Sequence, residues 1–333
     1  MVTAFVGDTP DMWPVKTEQH ETYQQVNQYV IGRYLITLPE GFKKNGIDTS
    51  FGRSSRQTVR EVDWPDASST EEQRELLWQA HLEKIEKYQK NNITPVTQPY
   101  YKVEKSTINT FPVKMTFFYD HKDNTFMIYN QEGRTAVKIY SLVDYNSHAV
   151  WFYDYGYADE QAEVQARLTT LIEQYEPYAN SGKATIKPNA YHMLRGVMNR
   201  PLTNDEKMET SFGISSERDH FSLGVSTSIA STIAKSTRHE ALPSIAADFN
   251  IKVKKLRKKT REAMDCKGYE SVITMKAPNN FSIHFDWWCN DTNDEVNYPL
   301  FELSAITDTT SDALKLHLAR WDFIVDNLQK IKP

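Results

Sequence analysis

The sequence predicts an α+β protein of two domains, each a largely antiparallel β-sheet with packed helices. Three observations carry that expectation. A chain of 333 residues exceeds the ~150 residues typical of one domain. Most of its patterned stretches alternate apolar and polar residues, as half-buried strands do. Each half then closes on one segment whose apolar residues recur at steps of four and three, the stripe of an amphipathic helix. The two halves share that plan, strands followed by a striped helix, which reads as a structural duplication. Sequence identity between the halves is too weak to establish it.

Residues 1–30 are rich in Gln, Glu and Thr and read as an N-terminal arm. The first domain is placed at 31–180. Gly32 to Gly41 is a strand stopped by Pro39 and Gly41, and Arg56 to Trp64 reads as another. Ser68 or Ser69 can cap a helix over Thr70 to Gln89, with Glu71 and Glu72 in its first turn and Trp78, Leu82 and Ile85 on its stripe. Strand-like runs follow at Tyr100–Lys105, Val113–Tyr119, Thr125–Asn130, Thr135–Val143 and Ala149–Tyr155. A helix over Asp159–Tyr178 carries Val164, Leu168, Leu171, Tyr175 and Tyr178. Residues 181–189 read as a linker.

The second domain, 190–333, opens with strands at Tyr191–Val197, Met208–Ile214 and His220–Ser226. Short helices are expected over Ser228–Ala247. Ile251–Ala263 is strand-like but basic, with seven Lys or Arg between Lys252 and Arg261. A meander follows. Tyr269–Met275 turns at Ala277-Pro278-Asn279-Asn280 into Phe281–Trp288. Alternation there places Phe281, Ile283, Phe285 and Trp287 on one face and Ser282, His284, Asp286 and Trp288 on the other. A polar loop, Asn290–Glu295, leads to Leu300–Ala305, and a helix over Ser311–Lys330 carries Leu314, Leu318, Trp321, Val325 and Leu328.

The net charge of −5 gives no general attraction to nucleic acid or to an anionic membrane. No run approaches the ~18 apolar residues of a membrane span, so direct membrane insertion is not expected. Residues 1–30 hold no apolar leader core. As written the chain is expected in the cytoplasm, or in an exported compartment if a signal peptide has been removed. The two cysteines, Cys266 and Cys289, exclude a cysteine-rich zinc module. They lie at similar distances from the turn at Pro278, so a cross-strand disulfide and two buried thiols are both open readings.

Catalytic signatures fail in turn. Ser181-Gly182-Lys183 lacks the residues of a phosphate loop, His239-Glu240 lacks the second His of a zinc-protease helix, and no G-x-S-x-G elbow occurs. Asp291, Asp294 and Glu295 lack the spacing of a calcium hand. No metal or cofactor is expected. His284 with Asp286 could form an acid–base pair, as in a hydrolase, but a lone His beside an Asp is more often an exposed or hydrogen-bonded structural pair. The strongest binding signals are aromatic residues beside acids at strand ends. These are Tyr153, Asp154, Tyr155 and Tyr157, and then Asp286, Trp288, Asp291 and Asp294. In the basic run, Lys254 and Arg257 are candidates for an acidic partner. Lysines on an edge strand also serve simply to block edge pairing.

Read together, several motifs resemble one family. Gly32-Arg33-Tyr34-Leu35-Ile36-Thr37-Leu38-Pro39-Glu40-Gly41 resembles the opening strand of the two-domain immunity proteins paired with type VI secretion phospholipase effectors. Phe285-x-Trp287, Pro299-Leu300-Phe301-Glu302-Leu303 and Trp321-Asp322 resemble the end of that family's C-terminal domain. The resemblance implies a bacterial antitoxin, not an enzyme. Its two α/β domains would form a claw-like clamp that hinders the toxin's lid or active-site entry by tight stoichiometric binding. It also implies a buried interface at or above about 1,600 Å². Other open readings are an envelope or scaffold binding module and a hydrolase using His284 and Asp286.

Overall fold

The computed structural model describes residues 23, 25–51, 56–62, 70–92, 101–120, 135–146, 148–178, 187, 190–193, 195–200, 206–215, 220–228, 251–277, 280–289, 300–308 and 313–331. The side chains of 44–48, 89–92, 120, 228 and 300 are not described. Most of the linker, the Thr125–Asn130 run, residues 229–247 and the 290–299 loop lie outside these residues. The fold is dominated by antiparallel sheet with few helices. The chain divides into two compact units. The C-terminal unit combines residues 34–45 with 210–331 and the chain up to Tyr29; the N-terminal unit holds 30–33 and 46–209.

The N-terminal unit is built on β3 (Lys43–Phe51), β4 (Gln57–Glu61), β5 (Tyr101–Ile108), β6 (Phe111–Asp120), β7 (Ala136–Asp144) and β8 (Ala149–Tyr157). They lie in the order β3-β4-β8-β7-β6-β5. Helix α1 (Glu71–Asn92) covers one face, with Trp78 stacked 5.9 Å from Trp151 and packed against Leu142 and Ala149. The cap is Thr70, not Ser68 or Ser69, which lie outside the described residues. Thr70 Oγ1 accepts from the Gln73 amide at 3.2 Å and Gln73 Oε1 accepts from the Thr70 amide at 2.7 Å, a reciprocal capping box.

Helix α2 (Gln161–Glu173) covers the other face through Val164, Leu168, Leu171 and Ile172. The sequence carried this helix to Tyr178, but it ends at Glu173. Tyr175–Pro177 is instead a strand, β9. Proline cannot continue the helical ladder, and the Tyr175 hydroxyl is drawn inward to Glu61 at 2.8 Å. The strand expected at Tyr191–Val197 is a hairpin of β10 (Tyr191–His192) and β11 (Gly196–Met198), and β9 pairs with β11. Gly196 permits that pairing: a Cβ there would sit 2.4 Å from the Tyr175 ring and 2.7 Å from the Glu176 carbonyl oxygen.

The C-terminal unit takes β2 (Tyr34–Pro39) and the strands β12 (Lys207–Ser215), β13 (His220–Ser228), β14 (Lys252–Ala263), β15 (Cys266–Ala277), β16 (Asn280–Cys289) and β17 (Leu300–Asp308). Their order is β14-β15-β16-β17-β13-β12. β1 (Val26–Ile31) begins inside the stretch read as an arm and lies beside β2. Helix α3 (Leu314–Asp326) covers one sheet face, where Phe285 packs 5.2 Å from Trp321. This helix too is shorter than expected. Gln329 and Lys330 form β18, paired with Leu35 and Tyr34 of β2.

A bulge between Lys255 and Arg257 in β14 sets the electrostatics of this unit. It shifts the alternation so that Arg257, Lys259 and Arg261 join the α3 face. Arg257 then grips Asp322 of α3 through two bonds of 2.5 and 2.9 Å. Arg261 donates to Asp322 at 2.8 Å, Asp326 at 2.6 Å and Glu270 at 2.6 Å. Trp321 Nε1 also donates to Glu270, at 2.9 Å. Burial alone would raise the Asp322 carboxyl, but the two guanidiniums override it and hold its pKa below the usual range. Replacing Asp322 by Asn leaves those guanidiniums without their shared charge. The expected cost is about 3 kcal/mol in denaturant unfolding, and a loss under about 1 kcal/mol would refute a structural role for the cluster.

Candidate functional site

Strand alternation divides the sequence-predicted binding residues among separate faces. On β8, Tyr153, Tyr155 and Tyr157 point to the α1 side and Asp154 to the α2 side. Tyr153 and Tyr155 extend an aromatic array rooted under α1. His81 lies 4.8 Å from Trp151 and 5.0 Å from Tyr140; Tyr140 lies 4.8 Å from Tyr153, and Tyr153 5.8 Å from Tyr155. The array passes from the buried Trp78 to the half-buried tyrosines. Arg56 donates to the Tyr155 carbonyl at 2.8 Å, and its guanidinium sits 5.9 Å from the Tyr155 ring. Rigid aromatics held by a packed floor make good anchors because little rotamer freedom remains to be lost on binding.

Asp154 is fully buried. It accepts from Gln57 at 3.2 Å and from Arg167 of α2 at 3.2 and 3.3 Å. Its geometry is that of a carboxylate fastening α2 to the sheet, with no surface to present.

In the C-terminal unit, Asp286 and Trp288 lie on the sheet face opposite α3. Trp288 pairs in register with Tyr269 and Glu302, Asp286 with Ser271 and Ser304, and His284 with Ile273 and Ile306. Tyr269 is 54% exposed and stacks on Trp288 at 5.8 Å with the ring planes 18° apart. Ile306, 39% exposed, lies on the same face two rows along, beside His284. Lys254 and Arg257 belong to the other face; Lys254 is exposed, and Arg257 is committed to Asp322. Asp291 and Asp294 lie outside the described residues. The sequence reading missed Tyr269, Arg56 and Tyr140. Counting residues back from the turn at Ala277–Asn280 would have placed Tyr269 opposite Trp288.

His284 Nε2 lies 3.1 Å from Ser282 Oγ. All three members of a Ser282–His284–Asp286 row stand on one strand face, where successive members are roughly 6.6 Å apart along the backbone. A second polar cluster, in the N-terminal unit, has no signal in the local sequence pattern. There the Tyr175 hydroxyl donates to Glu61 and lies 2.9 Å from His148 Nε2, and the Arg195 amide also donates to Glu61, at 2.9 Å. Since the hydroxyl proton goes to Glu61, His148 Nε2 is the donor to the tyrosine oxygen. Glu61, His148 and Tyr175 are all buried, so the cluster ties β4, β9 and the residue before β8 together. Among the described residues no group of three or more His, Cys, Asp or Glu is placed to hold a metal. No helix among them is long and apolar enough to cross a membrane.

Burial, with help from the Arg195 charge, pushes the His148 pKa down to about 4. Burial does the same to His81, also to about 4. A histidine whose folded pKa lies below its unfolded value near 6.5 favours the fold when neutral. Its contribution is complete above about pH 6.5 and is lost as pH falls toward 4. For His148 the loss is roughly 3 kcal/mol across that window. Denaturant melts between pH 7 and 4.5 should show the decline, and His148→Gln should flatten it. An unchanged pH slope in that variant would refute the assignment.

No family model matches the sequence, and no curated protein matches it. Solved structures do. The apo structure of the T6SS immunity protein TplEi from Pseudomonas aeruginosa superposes with a TM-score of 0.62 at 12% identity, covering 92% of this chain and 98% of that one. A chain of the Tle4–Tli4 complex gives 0.62 at 11% identity, covering 93% and 99%. TplEi complexed with an "L" peptide gives 0.58 at 13%, covering 93% and 100%. At these identities the likeness is one of fold, and it runs the length of both chains.

Proposed function

We propose that this chain is a type VI secretion immunity protein. In this reading it neutralises a cognate antibacterial effector by stoichiometric binding and blocks the effector's active site or lid. The observation that carries the reading is the fold likeness to immunity proteins over 92–93% of this chain. The motifs at Gly32–Gly41, Phe285-x-Trp287 and Trp321-Asp322 favour a phospholipase as the effector. The protein acts as a two-domain binder without catalysis of its own. It needs rigid anchors and complementary charge rather than a nucleophile. The aromatic array ending in Tyr153 and Tyr155, with Tyr157 on the same face of β8, supplies one such surface and the Tyr269–Trp288 pair another.

The product of an effector gene lying beside this one is the partner to test. Mixed with the purified chain, it should elute as a stable complex on gel filtration and lose its toxic activity. Two separate elution peaks with full toxicity would sink the proposal. Within the complex, Tyr153→Ala combined with Tyr155→Ala should weaken binding at least ~10-fold, a loss of about 1.4 kcal/mol. The melting transition of the free protein should persist. The hydrolase alternative has its own assay: a fluorophosphonate should leave Ser282 unmodified, and an adduct there, abolished by His284→Ala, would establish turnover chemistry instead.

A further inference from the structure

We propose that the bond between Cys266 and Cys289 is a redox-sensitive staple for the exposed Tyr269–Trp288 rung, so that this corner is fully built only in an oxidising compartment. The inference is independent of the immunity reading. These are the only cysteines in the 333 residues. The structure joins them as a disulfide, with Cα atoms 6.3 Å apart and a sequence separation of 23. Cys266 opens β15 directly after the Met264-Asp265 turn, and Cys289 closes β16. Both are buried.

The position of the bond gives it a task that the ladder does not perform. Registered pairing between β15 and β16 runs from Ala277↔Asn280 to Tyr269↔Trp288 and stops there. Cys266 lies beyond that last pair. Alternation places both cysteines on the α3 face with Glu270 and Trp287, while Tyr269 and Trp288 stand on the opposite face of the same corner. The packing between them is close. A Cβ on Gly268 would lie 2.6 Å from both the Trp287 ring and the Trp288 carbonyl oxygen, and Trp287 Nε1 donates to the Arg261 carbonyl at 3.2 Å. The disulfide clamps the two strand ends around Gly268 and fixes the backbone from which the rung projects.

Release requires a reductant. A dithiol gives up two electrons and two protons; the sulfur–sulfur bond breaks, Cys266 and Cys289 each take one proton and become thiols, and the dithiol closes to its own disulfide. Such bonds persist where proteins are exported and are reduced in an ordinary cytosol.

The test uses the full chain, purified in air without reductant. Denatured and treated with a maleimide, it should take up no label, and two labels after dithiothreitol. Native hydrogen exchange should then rise on reduction in residues 264–270 and 287–289, with 221–225 and 301–305 unchanged. The melting temperature should fall by about 5–10 °C. The Cys266→Ala/Cys289→Ala variant should match the reduced protein with or without dithiothreitol. Two labels before reduction would overturn the proposal, and so would unchanged melting and exchange after it. A uniform rise in exchange across the C-terminal unit would also overturn it, because the bond would then support the whole unit rather than one corner.

Discussion

A backbone in an antiparallel ladder offers each side chain only two directions, and a shift of one residue exchanges them. Almost everything about this protein's surfaces follows from that constraint. It sends Tyr153, Tyr155 and Tyr157 one way along β8 and Asp154 the other. It sets Trp288 against Tyr269 and away from Arg257. Where the constraint is relaxed, at the Lys255/Arg257 bulge, the consequence is large: Arg257 and Arg261 turn to the face where α3 holds Asp322. One extra residue thereby converts part of a solvated basic strand into the seam that fastens a helix to its sheet.

Charges in the described structure sort by burial into two kinds of work. Asp154, Glu206, Glu270 and Asp322 are buried and paired with arginines, as Glu206 is with Arg33 at 2.8 Å. A buried charge is tolerated only with such partners, and its removal is costly because the partner stays behind. These residues specify packing. The residues suited to recognition are instead half-exposed aromatics resting on a buried floor, where flat rings offer area at small entropic cost.

Much of the fold was legible because burial imposes period on a strand. The three strands of the meander, β15, β16 and β17, were legible down to the faces of β16, where Ile283, Phe285 and Trp287 are buried. The helix ends were not legible. Tyr175 and Leu328 continue the spacing of their stripes after the backbone has left the helix, since both remain in the core. Pro177 was a signal in the first case, and nothing comparable precedes Leu328 in the second. The Thr70–Gln73 capping box was readable and was passed over for nearby serines. The binding candidates mixed two faces because a cluster in sequence is not a cluster on a pleated surface. The bulge that reassigns Arg257 depends on pairing with β15, a long-range fact that local composition does not contain.

The lysines of β14 have a consequence of a different kind. Among the described residues this strand has a neighbour on one side only, and Lys252, Lys254, Lys255, Lys258 and Lys259 are exposed along it. A second molecule approaching edge to edge would bring a matching row of ammonium groups into contact, and self-templated growth of the sheet into a fibril would stall on that repulsion. That safeguard weakens as salt screens the charges.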